Sequence, residues 1–309
     1  MDALRYVRAA RRRLKWLSPR SAHVDNAVAP APPRREKILG GLDLSRMVGA
    51  EIGPLHNALV SKTESPRVIY IDHCDTETLR KTWAPDPNVD VSKLHVDAVW
   101  GELTLKEAIA QYDPGVAAEG LDYVVASHVI EHVPDMITWL HEIEAILKPQ
   151  RELRLAVPDR RYTFDYLRRT SDLASVLYAY LCRARVPSAL CILDFTLNMA
   201  PVDCADAWHS RIDESRLTKR YDFESCIGLA DDARLNGAYH DVHCWVFTPA
   251  SFAELCAELS KRKLLNFRCG EFHDTSKNEF EFFVTLQRST DEVANAKSWL
   301  DMKARCRET

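Results

Sequence analysis

Residues 122–135 read Asp-Tyr-Val-Val-Ala-Ser-His-Val-Ile-Glu-His-Val-Pro-Asp, a continuous apolar run that delivers a hydroxyl, two imidazoles and a carboxyl group at its end. In an open parallel sheet, ligands bind outside the carboxyl ends of the strands. Ser127 and His128 therefore stand where a ligand is expected. The same logic picks out the residues at the ends of the other strand-like runs. Glu51-Ile52-Gly53-Pro54-Leu55 closes the first of them. Gly53 lets the backbone approach a ligand closely, and amides of its turn can donate to an anionic group. Asp72 ends the second run, where a carboxylate can accept from both hydroxyls of a ribose; Asp75 is better placed to cap a helix over 76–83. After the third run come Asp97, Trp100 and Glu102. An acid there can receive an adenine amino group while an apolar neighbour covers the ring.

Proton transfer needs a group that titrates within reach of the acceptor. Candidates are His128, Asp159 just after the fifth run, and His209, His240 and His243 farther on. Position favours His128 first, then His243. His240-Asp241-Val242-His243 places two imidazoles and a carboxylate within four residues, a donor set that suits zinc or non-haem iron. Alternation along a strand beginning at Val242 accounts for that spacing equally well, so no metal is expected. Arg160, Arg161, Arg168 and Arg169 cluster with Tyr162 and Phe164. Guanidinium groups pair bidentately with phosphate or carboxylate, which suits an anionic acceptor; a solvated charged face is the alternative.

The elements that must position these groups alternate between strand-length apolar runs and helical patterns, as in a parallel α/β sheet. Strands are expected at 47–52, 68–72, 94–99, 122–126 and 153–157, with two more at 265–272 and 280–287. The link between the last two is too short for a crossover helix, so they should be antiparallel to one another. Met136, Leu140, Ile143 and Leu147 repeat with helical spacing behind Asp135 as a cap. Thr248 and Pro249 open a later helix. Residues 158–263 form a long insertion between strands five and six, expected to be helical and to wall the acceptor pocket. Residues 18–37 carry four prolines without periodicity and read as a flexible linker. Residues 1–17 read as a basic amphipathic helix, with six cations against Asp2, suited to an anionic membrane surface or to a protein partner.

Composition sets the outer bounds. A hydrophobic share of 46% excludes a wholly disordered chain, and 41 basic against 45 acidic residues give none of the excess that nucleic-acid binding requires. Nine cysteines without a CxxC pair read as reduced thiols of a cytoplasmic protein. Only 10 glycines occur in 309 residues, which argues against an all-glycine phosphate cradle. A nicotinamide oxidoreductase would use Asp72 in the same way, but Leu55 and Ala58 occupy the later glycine places of its GxGxxG turn.

The segments EIGP, YIDH, DYVVASHVIEHVPD, LKP and a strand ending in VPD, together with the closing pair of strands, resemble class I S-adenosylmethionine-dependent methyltransferases. EIGP resembles that family's first motif with Leu55 at its second glycine, and YIDH its ribose-binding acid. The resemblance implies an α/β, Rossmann-like seven-stranded mostly parallel sheet with an antiparallel last strand. It implies S-adenosylmethionine as cofactor: Glu51 and Gly53 beside the methionine part, Asp72 at the ribose, Asp97 or the Trp100–Glu102 turn near adenine, Ser127 and His128 beside the sulfonium. Relatives with VPDRRYTFD are associated with bacterial surface-polysaccharide assembly, implying O-methylation of a sugar, glycan or nucleotide-sugar. A catalytically silent scaffold with the same fold is a further reading.

Overall fold

The computed structural model describes residues 32–307; the basic segment 1–17 lies outside them. Seven strands form one sheet: β1 (Gly49–Ile52), β2 (Val68–Asp72), β3 (Ala98–Val99), β4 (Leu121–Ser127), β5 (Leu147–Pro158), β6 (Phe267–His273) and β7 (Glu281–Arg288). Their spatial order is β3-β2-β1-β4-β5-β7-β6. Strands β1 to β5 pair in parallel, and β7 runs antiparallel to both β5 and β6. The α/β, Rossmann-like sheet with an inverted last strand is the architecture expected from the sequence.

Strand β4 shows why the sheet is central. Six of its seven residues are buried, and they alternate between two cores on opposite faces. Val124 and Ala126 join the larger core, with Trp139, Phe252 and Trp299, whereas Tyr123 and Val125 join a smaller one with Ile38 and Phe283. Gly49 on β1 is compact by necessity: a Cβ there would lie 2.1 Å from the Tyr123 ring.

Helix starts follow their caps. Asp75 accepts from the Thr78 amide at the head of α2 (Thr76–Trp83), and Asp135 accepts from Thr138 at the head of α5 (Met136–Ile146). Between them lie α3 (Leu105–Tyr112) and α4 (Pro114–Glu119), and Arg34–Leu39 forms α1. No helix occupies the crossover from β1 to β2, which is a chain of turns. After β5 come α6 (Leu173–Cys182), α7 (Ala189–Asn198), α8 (Cys204–Trp208) and α9 (Phe223–Asn236). This helical insertion has a small core of its own, built on Ile192, Phe195, Met199, Leu229 and Val242. The crossover helix α10 (Pro249–Lys261) and the closing helix α11 (Glu292–Arg305) then cover the sheet.

Several expectations need revision. Residues 34–37, expected in the linker, belong to α1, where Lys37 is buried and donates to Glu279 at 2.6 Å. The third strand shrinks to two residues at the edge of the sheet. Strand β5 begins at Leu147, six residues early, and runs through Pro149, which a strand tolerates where a helix does not. Residues 240–246 form no strand. Among the described residues no helix is long and apolar enough to cross a membrane.

Candidate active site

The strand order reverses between β1 and β4, and a cleft of about 1680 Å³ opens at the carboxyl ends of these strands. Glu51, Gly53, Asp72, Trp100, Glu102, Ser127, His128 and His243 all line it. The turn after β1 puts Gly53 at φ 64° and Leu55 at φ 48°. Leu55 stands where the related motif has glycine and still adopts the left-handed backbone, so the turn persists without that residue. A Cβ at Gly53 would press on Val129 at 3.3 Å. Glu51 is buried and accepts from the amides of Leu59 and Val60, both at 2.9 Å. Burial pushes its carboxyl up to about 7 against those two donors. It therefore anchors the β1–β2 loop under the cleft, with both oxygens already engaged.

Asp72 ends β2, 8% exposed. One of its oxygens takes the amide of His73 at 2.7 Å and its ring Nδ1 at 2.6 Å. The other makes no hydrogen bond among the described residues and remains open to a ligand. Trp100 is oriented by Glu142, which accepts its indole N–H at 3.1 Å and the Leu105 amide at 3.0 Å. Glu102 is exposed at the rim, 3.6 Å from Arg185.

At the end of β4 the backbone of His128 turns left-handed, φ 55°, a conformation that costs a non-glycine residue roughly 1–2 kcal/mol. The turn throws the chain into the short 3-10 segment Ile130–His132. Two carboxylates hold the imidazole: Nε2 lies 2.8 Å from Glu281 and Nδ1 3.4 Å from Glu131. Burial opposes protonation, but Glu131 and Glu281 outweigh it and raise His128 to about 9. Glu281 in turn is pulled down to about 2: burial works against ionisation, while His128 and Arg34 more than offset it. Arg34 reaches from α1 to grip Glu281 at 2.6 Å and Ser127 Oγ at 2.7 Å. The two carboxylates thus favour the cationic form of His128, which speaks against the base role expected of it.

Two other expected site residues lie elsewhere. Asp97 is drawn inward by Lys62, by the Tyr70 amide at 2.8 Å and by His95 at 2.9 Å, and does not face the cleft. Asp159 is fully buried; it caps a short turn, pairs with Arg161 at 2.7 Å and accepts from Thr275 at 2.8 Å. It does not line the cleft where a base is expected. Of the arginine cluster none lines the cleft: Arg169 is exposed and the other three turn to partners within the fold. Arg168, 2% exposed, joins Asp165 to Asp194, Arg160 donates to the carbonyl of Tyr166, and the arginines that do line the cleft are Arg34, Arg183 and Arg185.

The insertion walls the far side of the cleft with Phe164, Tyr180, Phe195, Tyr239 and His243. His243 Nδ1 stands 2.5 Å from Asp165 Oδ2, a buried contact that fixes the ring. His240, by contrast, turns to Asp232 at 3.0 Å, and His209 is exposed outside the cleft. The four-residue His-Asp-Val-His set therefore does not converge. In its place Glu131, His132 and His243 come together across the cleft, one ligand atom of each within 4.8 Å of the others. Sequence reasoning misses Glu131, His132, Arg34 and Glu281. The first two sit inside the telling segment after β4, but Arg34 comes after a proline-rich stretch that carries no signal.

No curated protein matches this sequence. Solved structures match it at low identity. An O-methyltransferase family protein of Burkholderia thailandensis is 11% identical, with a TM-score of 0.36 over 83% of this chain and 55% of that one, so the chain spans little more than half its length. The N-methyltransferase NodS of Bradyrhizobium japonicum is 13% identical, with a TM-score of 0.33 over 83% and 94%. The magnesium protoporphyrin IX methyltransferase of Synechocystis, solved with S-adenosylhomocysteine bound, is 8% identical, with a TM-score of 0.33 over 80% and 76%. The profile of a family described as a methyltransferase domain matches residues 48–259, a span that runs from β1 into α10 and takes in every strand tip lining the cleft. The chain belongs to the methyltransferase domain family.

Proposed function

We propose that the protein is an S-adenosylmethionine-dependent methyltransferase that methylates an oxygen of a small polar acceptor, a hydroxyl of a sugar, glycan or nucleotide-sugar of the kind used in surface-polysaccharide assembly. The observation that carries this reading is the convergence of Gly53, Asp72 and Ser127–His128 on one cleft that continues to the insertion wall. The residues fit the cofactor. The left-handed turn at Gly53 leaves room for a close backbone approach, and Asp72 keeps one oxygen for ribose hydroxyls. S-adenosylmethionine, when bound, supplies a methyl group already activated as a sulfonium.

The chain's contribution is then to position the two reactants, which can supply several kcal/mol of the barrier. A hydroxyl acceptor must also lose its proton, and an amine acceptor need only arrive neutral. With both nitrogens of His128 facing carboxylates, the groups placed to assist that loss are the cluster of Glu131, His132 and His243. That arrangement favours oxygen over nitrogen. Aromatic rings at Phe164, Phe195 and Tyr239 suit the apolar face of a sugar, and Arg183 and Arg185 suit a phosphate or carboxylate on it.

Calorimetry with S-adenosylhomocysteine and with NADH tests the reading. One-to-one binding of the former is expected; binding of NADH alone overturns it. Transfer of labelled methyl to nucleotide-sugar or glycan extracts then tests the acceptor class. Cofactor binding without transfer to any of them would favour a silent scaffold.

A further inference from the structure

Glu131 is wholly buried, lines the cleft, and has both carboxylate oxygens enclosed without a hydrogen-bond donor. An ionised carboxylate in that state is unfavourable unless a cation or donor completes it. His128 gives its Nε2 to Glu281 at 2.8 Å and brings its Nδ1 only to 3.4 Å from Glu131, a charge beside the carboxylate but not a close donor to it. The two other imidazoles beside Glu131 are arranged differently. His132 Nε2 lies 3.9 Å from Glu131 Oε1, while its Nδ1 is 2.8 Å from Asp241 Oδ1. His243 meets the His132 ring edge-on at 4.7 Å between centroids, and Asp165 stands behind its Nδ1. Each ring thus has a carboxylate beside its Nδ1, and among the described residues neither Nε2 makes a hydrogen bond.

We propose that Glu131, His132 and His243 bind one divalent first-row transition metal ion, of which zinc is the representative. Two imidazoles and one carboxylate form a donor set for such ions and not for magnesium or calcium, whose sites are built from oxygen. Carboxylates hydrogen-bonded to the back of ligating imidazoles are the usual outer shell of these sites, fixing tautomer and ring direction. Arg168 donates to the other oxygen of Asp165 at 2.7 Å and so holds that outer carboxylate in place. The three atoms stand within 4.8 Å, and small side-chain rotations bring them to the ~3.4 Å spacing of ligands around zinc. Three protein ligands leave positions open toward the cleft. On the methyl-transfer reading, which this part of the inference rests on, the ion would hold the acceptor's hydroxyl oxygen and lower its pKa, the proton leaving to water in the cleft and the three side chains serving as ligands in place of a base. That would name the acceptor as an alcohol able to ligate a metal.

Chelator-treated protein titrated with cobalt(II) chloride tests the site. One equivalent should produce visible d–d bands, and zinc chloride should abolish them. Glu131→Gln and His243→Ala should each weaken binding at least tenfold, while His209→Ala, on an exposed residue outside the cleft, leaves it unchanged. Circular dichroism checks that each variant folds; if Glu131→Gln does not, His132→Asn replaces it. A featureless cobalt titration, or one that His243→Ala leaves intact, overturns the proposal. Calorimetry with S-adenosylhomocysteine on the same metal-free protein separates the two readings. Cofactor binding with no cobalt site sinks the metal alone, and a cobalt site without cofactor binding sinks the methyltransferase reading and leaves the metal standing.

Discussion

Replacing Glu281 by Gln removes the carboxylate that both Arg34 and His128 hold at the edge of the cleft. The rise of His128 from the ordinary 6.5 to about 9, at about 1.4 kcal/mol per pH unit, corresponds to about 3 kcal/mol of preference for the cation in the folded state. A quarter of the His128 side chain stays exposed to the cleft, so screening makes that an upper figure. A raised imidazole stabilises fully below pH 6.5, and its contribution is lost as pH climbs through about 9. The depressed Glu281 stabilises above its usual 4.5 and loses its contribution as pH falls toward 2. Both shifts describe one interaction and are not to be added. Stability from this pair should therefore be greatest between about pH 4.5 and 6.5. Imidazole NMR of chelator-treated protein should show His128 protonated past neutrality and titrating near 9. In Glu281→Gln the midpoint should drop toward neutrality, with Glu131 retaining part of the shift, and the alkaline loss of melting temperature should shrink. A wild-type His128 already neutral at pH 7 would refute the reasoning and restore it as a base.

Single contacts carry the remaining predictions. Asp72→Ala should weaken S-adenosylhomocysteine binding by at least ~1 kcal/mol, because a charged hydrogen-bond acceptor is lost; calorimetry reads it, and unchanged affinity would remove Asp72 from the site. Gly53→Ala forces alanine into φ 64° against Val129, and a loss of roughly 1–2 kcal/mol in stability, together with weaker cofactor binding, is expected by thermal melts and calorimetry. Gly49→Ala would drive a methyl into the buried Tyr123 ring. Denaturant unfolding should show a loss of ~3 kcal/mol or more, partly recovered by Tyr123→Leu. Asp165→Asn leaves Arg168 buried with only Asp194 beside it, and a loss of about 3 kcal/mol is expected on the same assay.

Strand tips are legible in the sequence wherever a buried strand ends in polar groups. Asp72 and Ser127 reach the cleft because they are the last residues of the buried strands β2 and β4, and His128 joins them through the left-handed turn that follows. The caps Asp75, Asp135 and Thr248 are equally readable, being local interactions spanning three residues. What sequence does not reveal is which carboxylate finds a distant partner. Asp97 meets Lys62 and Asp159 meets Thr275 across the fold, and such partners convert an expected site acid into a strut. The arginines after β5 mislead for the same reason, since Asp165 and Asp194 take Arg168 inside. Glu131 stays hidden because its burial depends on the return of the insertion, more than a hundred residues later.

That return is stitched with unusual density. The backbone oxygen of Glu131 receives the amides of both Cys244 and Trp245, at 2.6 and 3.1 Å, and the Trp245 indole donates to the Val133 carbonyl at 2.6 Å. The wall of the acceptor compartment and the floor that bears Glu131 and His132 are in effect one rigid piece. A swinging door hinged on residues 243–246 would tear out its own sill, so on the proposed reading any opening that admits an acceptor lies elsewhere in the wall. Slow hydrogen exchange at the Cys244 and Trp245 amides, against faster exchange in α6, would mark which part moves.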